Sequence, residues 1–445
     1  MTPWLLDRLG EFKERAALIW KDREHRYEDF LASIGEWHRR FDESGLRAGE
    51  SVAVVGECSP GMCALLLALI ANRNIVTPLA ALETNQRDQY LSVAGAEFVF
   101  ELQADDHWTS FRRSDSRTPP LVQQLRDSGE AGLILFTSGS TGEPKASLLS
   151  FDRLLEKNEK RRTAHRTLIF LKLDHIGGIN TLLHVLCNGG TVVCLGERTA
   201  DAVGSAIQRH RVELLPTTPT FLNMLLIAQA HRQHDLSSLK LITYGTEPMP
   251  ASTLRSLHEA FPNVRLKQTY GLSELGILPT VSRDSGSLWM KMGGDGFETK
   301  VVDGILWVRA RSAMLGYLNA PSPFDEDGWF NTKDAVEVDG EYLRVLGRTS
   351  ELINVGGEKV YPAEVESVLL QMENVREATV YGKRNPITGQ IVVARASLNS
   401  PEERQHFEAR MREFCRGRLA DFQVPAFVEL TAADHHSARF KKKRP

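Results

Sequence analysis

Apolar residues Phe30, Ile34, Trp37 and Phe41 recur at helical spacing across 28–44, and Gly45 follows as a stop. The apolar run 52–55 then reads as a buried strand, 60–71 as a second helix, and 75–77 as another short strand. This alternation is α/β in character. Residues 102–130 are polar, charged and weakly periodic, which predicts a surface excursion. Further on, 191–195 and 240–244 read as strands, 202–210 as a helix, and 216–226 as a loop feeding a helix. From Gly304 the runs shorten. Segments 305–308, 336–338 and 342–345 are strand-like, and Asp339-Gly340 makes a turn between the last two. The C-terminal part predicts a compact α/β unit, with helices at 364–372 and 402–419 and strands at 378–381 and 391–396. The sequence shows no internal repeat and no low-complexity tract.

At 445 residues the chain is expected to form at least two domains. Hydrophobic content of 42% and charged content of 25% are ordinary for a soluble globular protein. A net charge of −3 gives no global basic field, so no nucleic-acid partner is expected. The one basic cluster is terminal: Arg439, Lys441, Lys442, Lys443 and Arg444. The five cysteines lack CxxC spacing and sit mainly in apolar runs. They read as small buried hydrophobes in a reducing compartment. Charged residues from Asp7 to Arg15 interrupt any N-terminal signal pattern, and the longest apolar stretch, 62–71, is far short of a membrane span. The expectation is a cytoplasmic protein without membrane insertion.

Candidate chemistry begins at Leu135-Phe-Thr-Ser-Gly-Ser-Thr-Gly-Glu-Pro-Lys145. An apolar run there breaks into hydroxyl and glycine residues from Thr137 to Gly142. Glycines let backbone N–H groups approach an anion closely, and hydroxyls add donors. The pattern is that of a phosphate-handling loop, although its Gly-x-x-Gly-x-x-Lys spacing is not the Walker motif. A flexible polar turn is the bland alternative. Thr269-Tyr-Gly-Leu-Ser-Glu274 places a carboxylate next to a hydroxyl on a glycine-containing turn, suited to Mg²⁺ and phosphate. Asp334 ends the loop segment 328–334 and could take both hydroxyls of a ribose. A long pattern from Gly347 to Glu366 carries Gly356-Gly357, and a basic tail runs from Ser437 to Arg444. Alone, Asp334 reads more readily as a turn residue and the tail as a solvated basic end, whereas the Gly347 to Glu366 pattern is long and distinctive.

Together and in this order, these motifs resemble the adenylate-forming superfamily of acyl- and aryl-CoA ligases, peptide-synthetase adenylation domains and firefly luciferase. The chain length is similar to that of o-succinylbenzoate–CoA ligase-like members. The resemblance implies an α/β fold. A large N-terminal domain (1–348) would hold two α/β subdomains and a small β-barrel-like region. A hinge (349–351) would connect it to a small mobile α+β C-terminal domain (352–445).

The resemblance also implies a two-step reaction. A carboxylic acid attacks the α-phosphate of ATP, pyrophosphate leaves, and the acyl-adenylate is passed to the thiol of coenzyme A. Thr137, Ser138, Gly139, Ser140, Thr141, Gly142 and Lys145 would handle the outer phosphates. Glu274 would bind Mg²⁺ and Ser273 would touch the α-phosphate, within a motif that includes Tyr270 and Gly271. Gly245, Thr246 and Glu247 would lie beside adenine, and Asp334 with Arg348 at the ribose. Lys441 matches the lysine that bridges carboxylate and α-phosphate. Phe440 stands where the family pattern has glycine, which leaves Lys442 or Lys443 as alternative amines. The hinge position falls on Ser350, and Gly356-Gly357 would line the way in for a pantetheine thiol.

His175, in Leu173-Asp-His-Ile-Gly-Gly178, resembles the histidine segment of acyl- and aryl-CoA ligases, where amino-acid-activating relatives place an aspartate. That implies an aryl or medium acyl acid. Two alternatives accompany this reading: loading of a carrier-protein phosphopantetheine or an amine, and a non-catalytic nucleotide-binding relative.

Overall fold

The computed structural model describes residues 4–80, 84–138, 144–433, 435–437 and 439–444. Two seven-stranded sheets form most of the large domain. In the first, Ser51–Val55, Ile75–Leu79, Phe98–Leu102 and Gly132–Ser138 run parallel, and antiparallel strands are added by Trp108–Arg112 at one edge and by Pro144–Ser150 followed by Gly316–Tyr317 at the other. Their near-continuous apolar character follows from burial on both faces. In the second, Arg166–Ile169, Thr191–Cys194, Leu214–Thr217, Leu241–Tyr244 and Arg265–Gln268 are parallel, and the hairpin of Ala16–Trp20 with Arg23–Arg26 closes one side. The N-terminal strand therefore pairs with a strand about 170 residues later in the chain.

One hydrophobic core joins the two sheets. Leu18 and Val192 from the second sheet and Val52 and Leu133 from the first pack around the helices Pro60–Ala71 and Ile176–Cys187. Pro60–Ala71 is apolar on every side because it lies inside this core, and Met62 to Leu69 are fully buried. No described helix is long and apolar enough to cross a membrane.

Most expected elements are present. The helix read at 28–44 is Tyr27–Ser44, buried at Phe30, Ile34, Trp37 and Phe41, and Gly45 ends it at φ +69°. The Asp339-Gly340 turn joins Phe330–Asp339 to Tyr342–Arg348 within a six-stranded antiparallel sheet. The C-terminal part has its own sheet, drawn from Ile353–Val355, Glu358–Val360, Val375–Asn385, Gly389–Leu398 and Phe427–Leu430. Its helices Pro362–Leu369 and Arg404–Cys415 are shorter than expected.

Two expectations differ from the structure. Within the expected excursion 102–130 lie the edge strand Trp108–Arg112 and the helix Pro120–Ser128. The strand is mostly exposed, so its residues carry little apolar signal, and Trp108 makes its packing contact, 5.0 Å from the Trp37 ring. The loop expected from 216 is the end of the strand Leu214–Thr217, followed directly by the helix Pro219–Ile227. Thr218 caps that helix by accepting from Phe221 N.

Candidate active site

The phosphate-loop candidate joins two antiparallel strands, in which Thr137 pairs with Lys145 and Ser138 with Pro144. Gly139, Ser140, Thr141 and Gly142 lie outside the described residues. At the foot of the loop the Lys145 amine stands 5.2 Å from the centre of the Tyr317 ring. Tyr317 donates from its hydroxyl to Glu274 Oε1 at 2.6 Å. Burial pushes the Tyr317 phenol up, and the Glu274 charge pushes it further. The sequence assigned Tyr317 no role. Its place is set by pairing of Gly316 and Tyr317 with Leu148 and Ser147.

Glu274 and Ser273 occupy the turn of a tight hairpin, Tyr270–Leu272 against Gly276–Leu278. A Cβ on Gly271 would lie 2.6 Å from Gly276 O, so the close crossing admits only glycine there. Tyr270 donates to Asp334 Oδ2 at 2.5 Å, tying this hairpin to the six-stranded sheet. Asp334 is buried and pairs across strands with Arg348, whose Nε lies 3.4 Å from Oδ1. Burial pushes the Asp334 carboxyl up, against the opposing pull of Arg348 and Tyr270.

The strand Leu241–Tyr244 delivers Gly245, Thr246 and Glu247 to the same region. A Cβ on Gly245 would meet Thr269 O at 2.6 Å. Thr246 sits at φ +76°, a left-handed conformation that a β-branched residue adopts at a cost of about 1–3 kcal/mol. Glu247 accepts from Thr220 N at 2.8 Å and from Lys442 N at 3.1 Å, so it links the large domain to the tail.

His175 caps the helix Ile176–Cys187, its Nδ1 accepting from Gly177 N at 3.1 Å. That bond places the ring proton on Nε2, which is left as a donor. Gly178 permits the turn into this helix: a Cβ there would lie 2.0 Å from Lys172 O. Burial pulls His175 down to about 3, and the Lys441 and Arg439 charges act the same way. An NMR titration of His175 is expected to show no charge gain between about pH 8 and pH 5, where an ordinary histidine protonates. Because the folded value lies below the unfolded one, the neutral ring contributes stability that is full above about pH 6.5 and falls away as pH drops towards the folded value.

The tail closes the site. Phe170, His175, Thr218 and Thr246 from the large domain and Phe440 and Lys441 from the tail line one cleft. The Lys441 amine is pulled down by burial, with Glu247 and Glu274 opposing and Arg348 and Arg439 reinforcing. Lys442 does not share this position. Its amine binds Glu366 Oε2 at 2.7 Å and Ala378 O at 2.8 Å, on the small domain. Lys443 is exposed. Arg444 pairs with Glu366 at 3.0 Å and with Glu351 at 3.0 Å. Ser350 lies in the short turn Thr349–Glu351, and Gly356-Gly357 form an exposed hairpin turn at φ +63° and +98°. The ion pair of Asp174 with Arg439, 2.8 Å across the domain boundary, was not legible in sequence.

The pattern of the AMP-binding enzyme family matches residues 6–318, and that of the AMP-binding enzyme C-terminal domain matches residues 364–441. The chain belongs to the AMP-binding enzyme family. Both of the family's parts are present, and the cleft described above lies where they meet. Similar proteins include a 2-succinylbenzoate–CoA ligase of Bacillus pumilus, 29% identical over 95% of this chain and 92% of the relative. An indoleacetate–CoA ligase of Aromatoleum aromaticum is 29% identical over 96% and 93%. Among solved structures, an anthranilate CoA ligase in complex with anthranoyl-AMP matches at TM-score 0.84, with 21% identity over 98% of this chain and 95% of that one. An amide bond synthetase from Marinactinospora thermotolerans matches at TM-score 0.76, with 23% identity over 98% and 97%. These two likenesses are of fold.

Proposed function

We propose that this enzyme activates an aryl or medium acyl carboxylic acid with ATP, releasing pyrophosphate, and transfers the acyl group from the adenylate to the thiol of coenzyme A. The observation that carries the reading is Lys441, brought by the tail into the cleft that holds His175 and under the charges of Glu247 and Glu274. A carboxylate oxygen is a poor leaving group, and bonding to the α-phosphate turns it into AMP. That displacement needs charge neutralisation and alignment more than a base.

Lys441 would bridge the attacking carboxylate and the α-phosphate. Neutral His175 offers its Nε2–H to the acid, and Ser273 offers a hydroxyl to the phosphate. Residues 137–142 and Lys145 would hold the departing pyrophosphate. Gly245 and Thr246 would border adenine, while Asp334, held by Tyr270 and Arg348, would take the ribose hydroxyls. Glu274 fits Mg²⁺: it is a hard oxygen donor, and among the described residues only Tyr317 donates to its side chain. When bound, Mg²⁺ would neutralise phosphate charge.

Phe170 and Leu171 line part of the cleft, which suits an aromatic or apolar acid. An α-amino acid is disfavoured, since His175 stands where amino-acid-activating relatives place an aspartate. Rotation about Ser350 would then withdraw Lys441 and bring Gly356-Gly357 to the thiol.

Acid-dependent ATP–pyrophosphate exchange across a panel of aryl and medium-chain acids tests the first half, and the adenylate is then offered CoA, holo carrier protein or amines. The expected result is exchange with an aryl or medium-chain acid and thioester formation with CoA. Transfer to carrier protein or amine alone would replace the acceptor. ATP binding without exchange for any acid would overturn the reading.

A further inference from the structure

We infer that Phe440 is a positioning residue for Lys441, an aromatic peg that fixes the tail on the large domain while the adenylate forms. The inference rests on the acid-activation reading above.

The turn that carries Lys441 is held from within. Phe440 N donates to Ser437 O at 2.9 Å, and Ser437 N donates to Lys441 O at 2.8 Å. These bonds fix the tail residues relative to one another, not relative to the large domain. Phe440 supplies that second constraint. Its ring centre lies 5.2 Å from Phe170 and 5.3 Å from Phe221, edge-on to the latter, and His436 stacks on it at 5.3 Å. Phe170 and Phe221 belong to the core of the second sheet, so a tail side chain packs directly against the interior of the other domain. The Phe440 carbonyl accepts from Thr218 Oγ1 at 2.8 Å. On the far side of Lys441, Lys442 N donates to Glu247 at 3.1 Å. The catalytic amine is therefore bracketed by two attachments to the large domain, one on each neighbouring residue.

The backbone shows that the side chain is what matters here. Phe440 sits at φ +52°, where glycine is unstrained and phenylalanine is not. A glycine would make the turn more easily and leave no ring in the socket. Offset and edge-on aromatic pairs of this kind add favourable contact beyond simple burial.

Phe440→Ala, Phe440→Gly and Phe440→Tyr test the peg in the full-length enzyme, each half-reaction being assayed separately. Alanine is expected to lower the kcat of acid-dependent pyrophosphate exchange about tenfold, with acid KM within about twofold. Thioester formation from a supplied adenylate should be unchanged or faster. Glycine, although relieved of the strained φ, should behave like alanine, and tyrosine should stay within about threefold of the parent. An equal loss in both half-reactions, a rise in acid KM at constant kcat, or full recovery with glycine would each overturn the inference. Amide hydrogen exchange at Lys442 reads the peg without activity. It should rise in Phe440→Ala and not in Phe440→Tyr, and an unaltered rate in the alanine variant would refute the peg. Absence of exchange activity in the parent enzyme counts against the acid-activation reading, and the hydrogen-exchange arm still decides on Phe440.

Discussion

Lys441→Ala is expected to lower acid-dependent ATP–pyrophosphate exchange by about 10²–10³-fold, the loss typical of removing one preorganised donor to a developing charge. The amine is buried, and the opposing charges of Glu247, Glu274, Arg348 and Arg439 act on it. In that setting water cannot replace it, because a new donor would have to be ordered in the same place. Conversion of a supplied acyl-adenylate to thioester should stay within about threefold of the parent, since the reading has Lys441 withdrawn in that step. Equal loss of both half-reactions would contradict alternation of the small domain. Burial pulls the Lys441 amine below the ordinary lysine range, so the alkaline limb of the exchange profile should begin earlier than for an ordinary lysine. Lys441→Ala should remove that limb. Lys442→Ala should not copy this result, because its amine serves Glu366.

Glu366→Ala is expected to destabilise the small domain by about 3–5 kcal/mol, the loss typical of a buried ion cluster that loses one partner. Glu366 is 1% exposed and accepts from Lys442 Nζ at 2.7 Å, Arg444 Nη2 at 3.0 Å and Val380 N at 2.9 Å. Alanine would take the acceptor from Val380 N and the buried countercharge from Lys442 and Arg444, which would keep Ala378 O and Glu351 respectively. The same cluster tethers the tail, so pyrophosphate exchange also falls. Urea unfolding separates this effect from that of Lys441→Ala, which should leave the midpoint nearly unchanged. Burial pushes the Glu366 carboxyl up, yet Lys442 and Arg444 outweigh it and hold the group below its ordinary value. A depressed carboxylate contributes stability that is present above about pH 4.3 and is lost as pH falls through the folded value. The stability gap between the parent and Glu366→Gln should therefore narrow on acidification. A gap independent of pH would show that Glu366 acts through packing alone.

Much of this was legible in the residues themselves. Local signals act over a few residues, and they placed the helix Tyr27–Ser44, the buried helix Pro60–Ala71 and the Asp339-Gly340 hairpin. The family resemblance that the motifs carry nominated Glu274, Asp334, His175 and Lys441 for one nucleotide-and-acid site, and the family match covers both parts of the chain. The strand Trp108–Arg112 was missed because an exposed edge strand carries almost no apolar pattern.

What sequence alone could not decide were relations between distant residues. Tyr317 reaches Glu274, Tyr270 reaches Asp334 and Arg439 reaches Asp174, separations of 43, 64 and 265 residues respectively. Motif order does not encode such contacts; the packing of the sheets and the seating of the tail create them. The choice among neighbouring lysines is of the same kind. Lys441, Lys442 and Lys443 are chemically identical on paper, and only the buried carboxylate of Glu366 turns Lys442 into a structural cation and leaves Lys441 facing the cleft. Residue types and spacings determined which chemistry this chain can do, because those depend on functional groups. Which of the lysines lines the cleft was decided by burial and charge pairing, which exist only once the two domains are packed together.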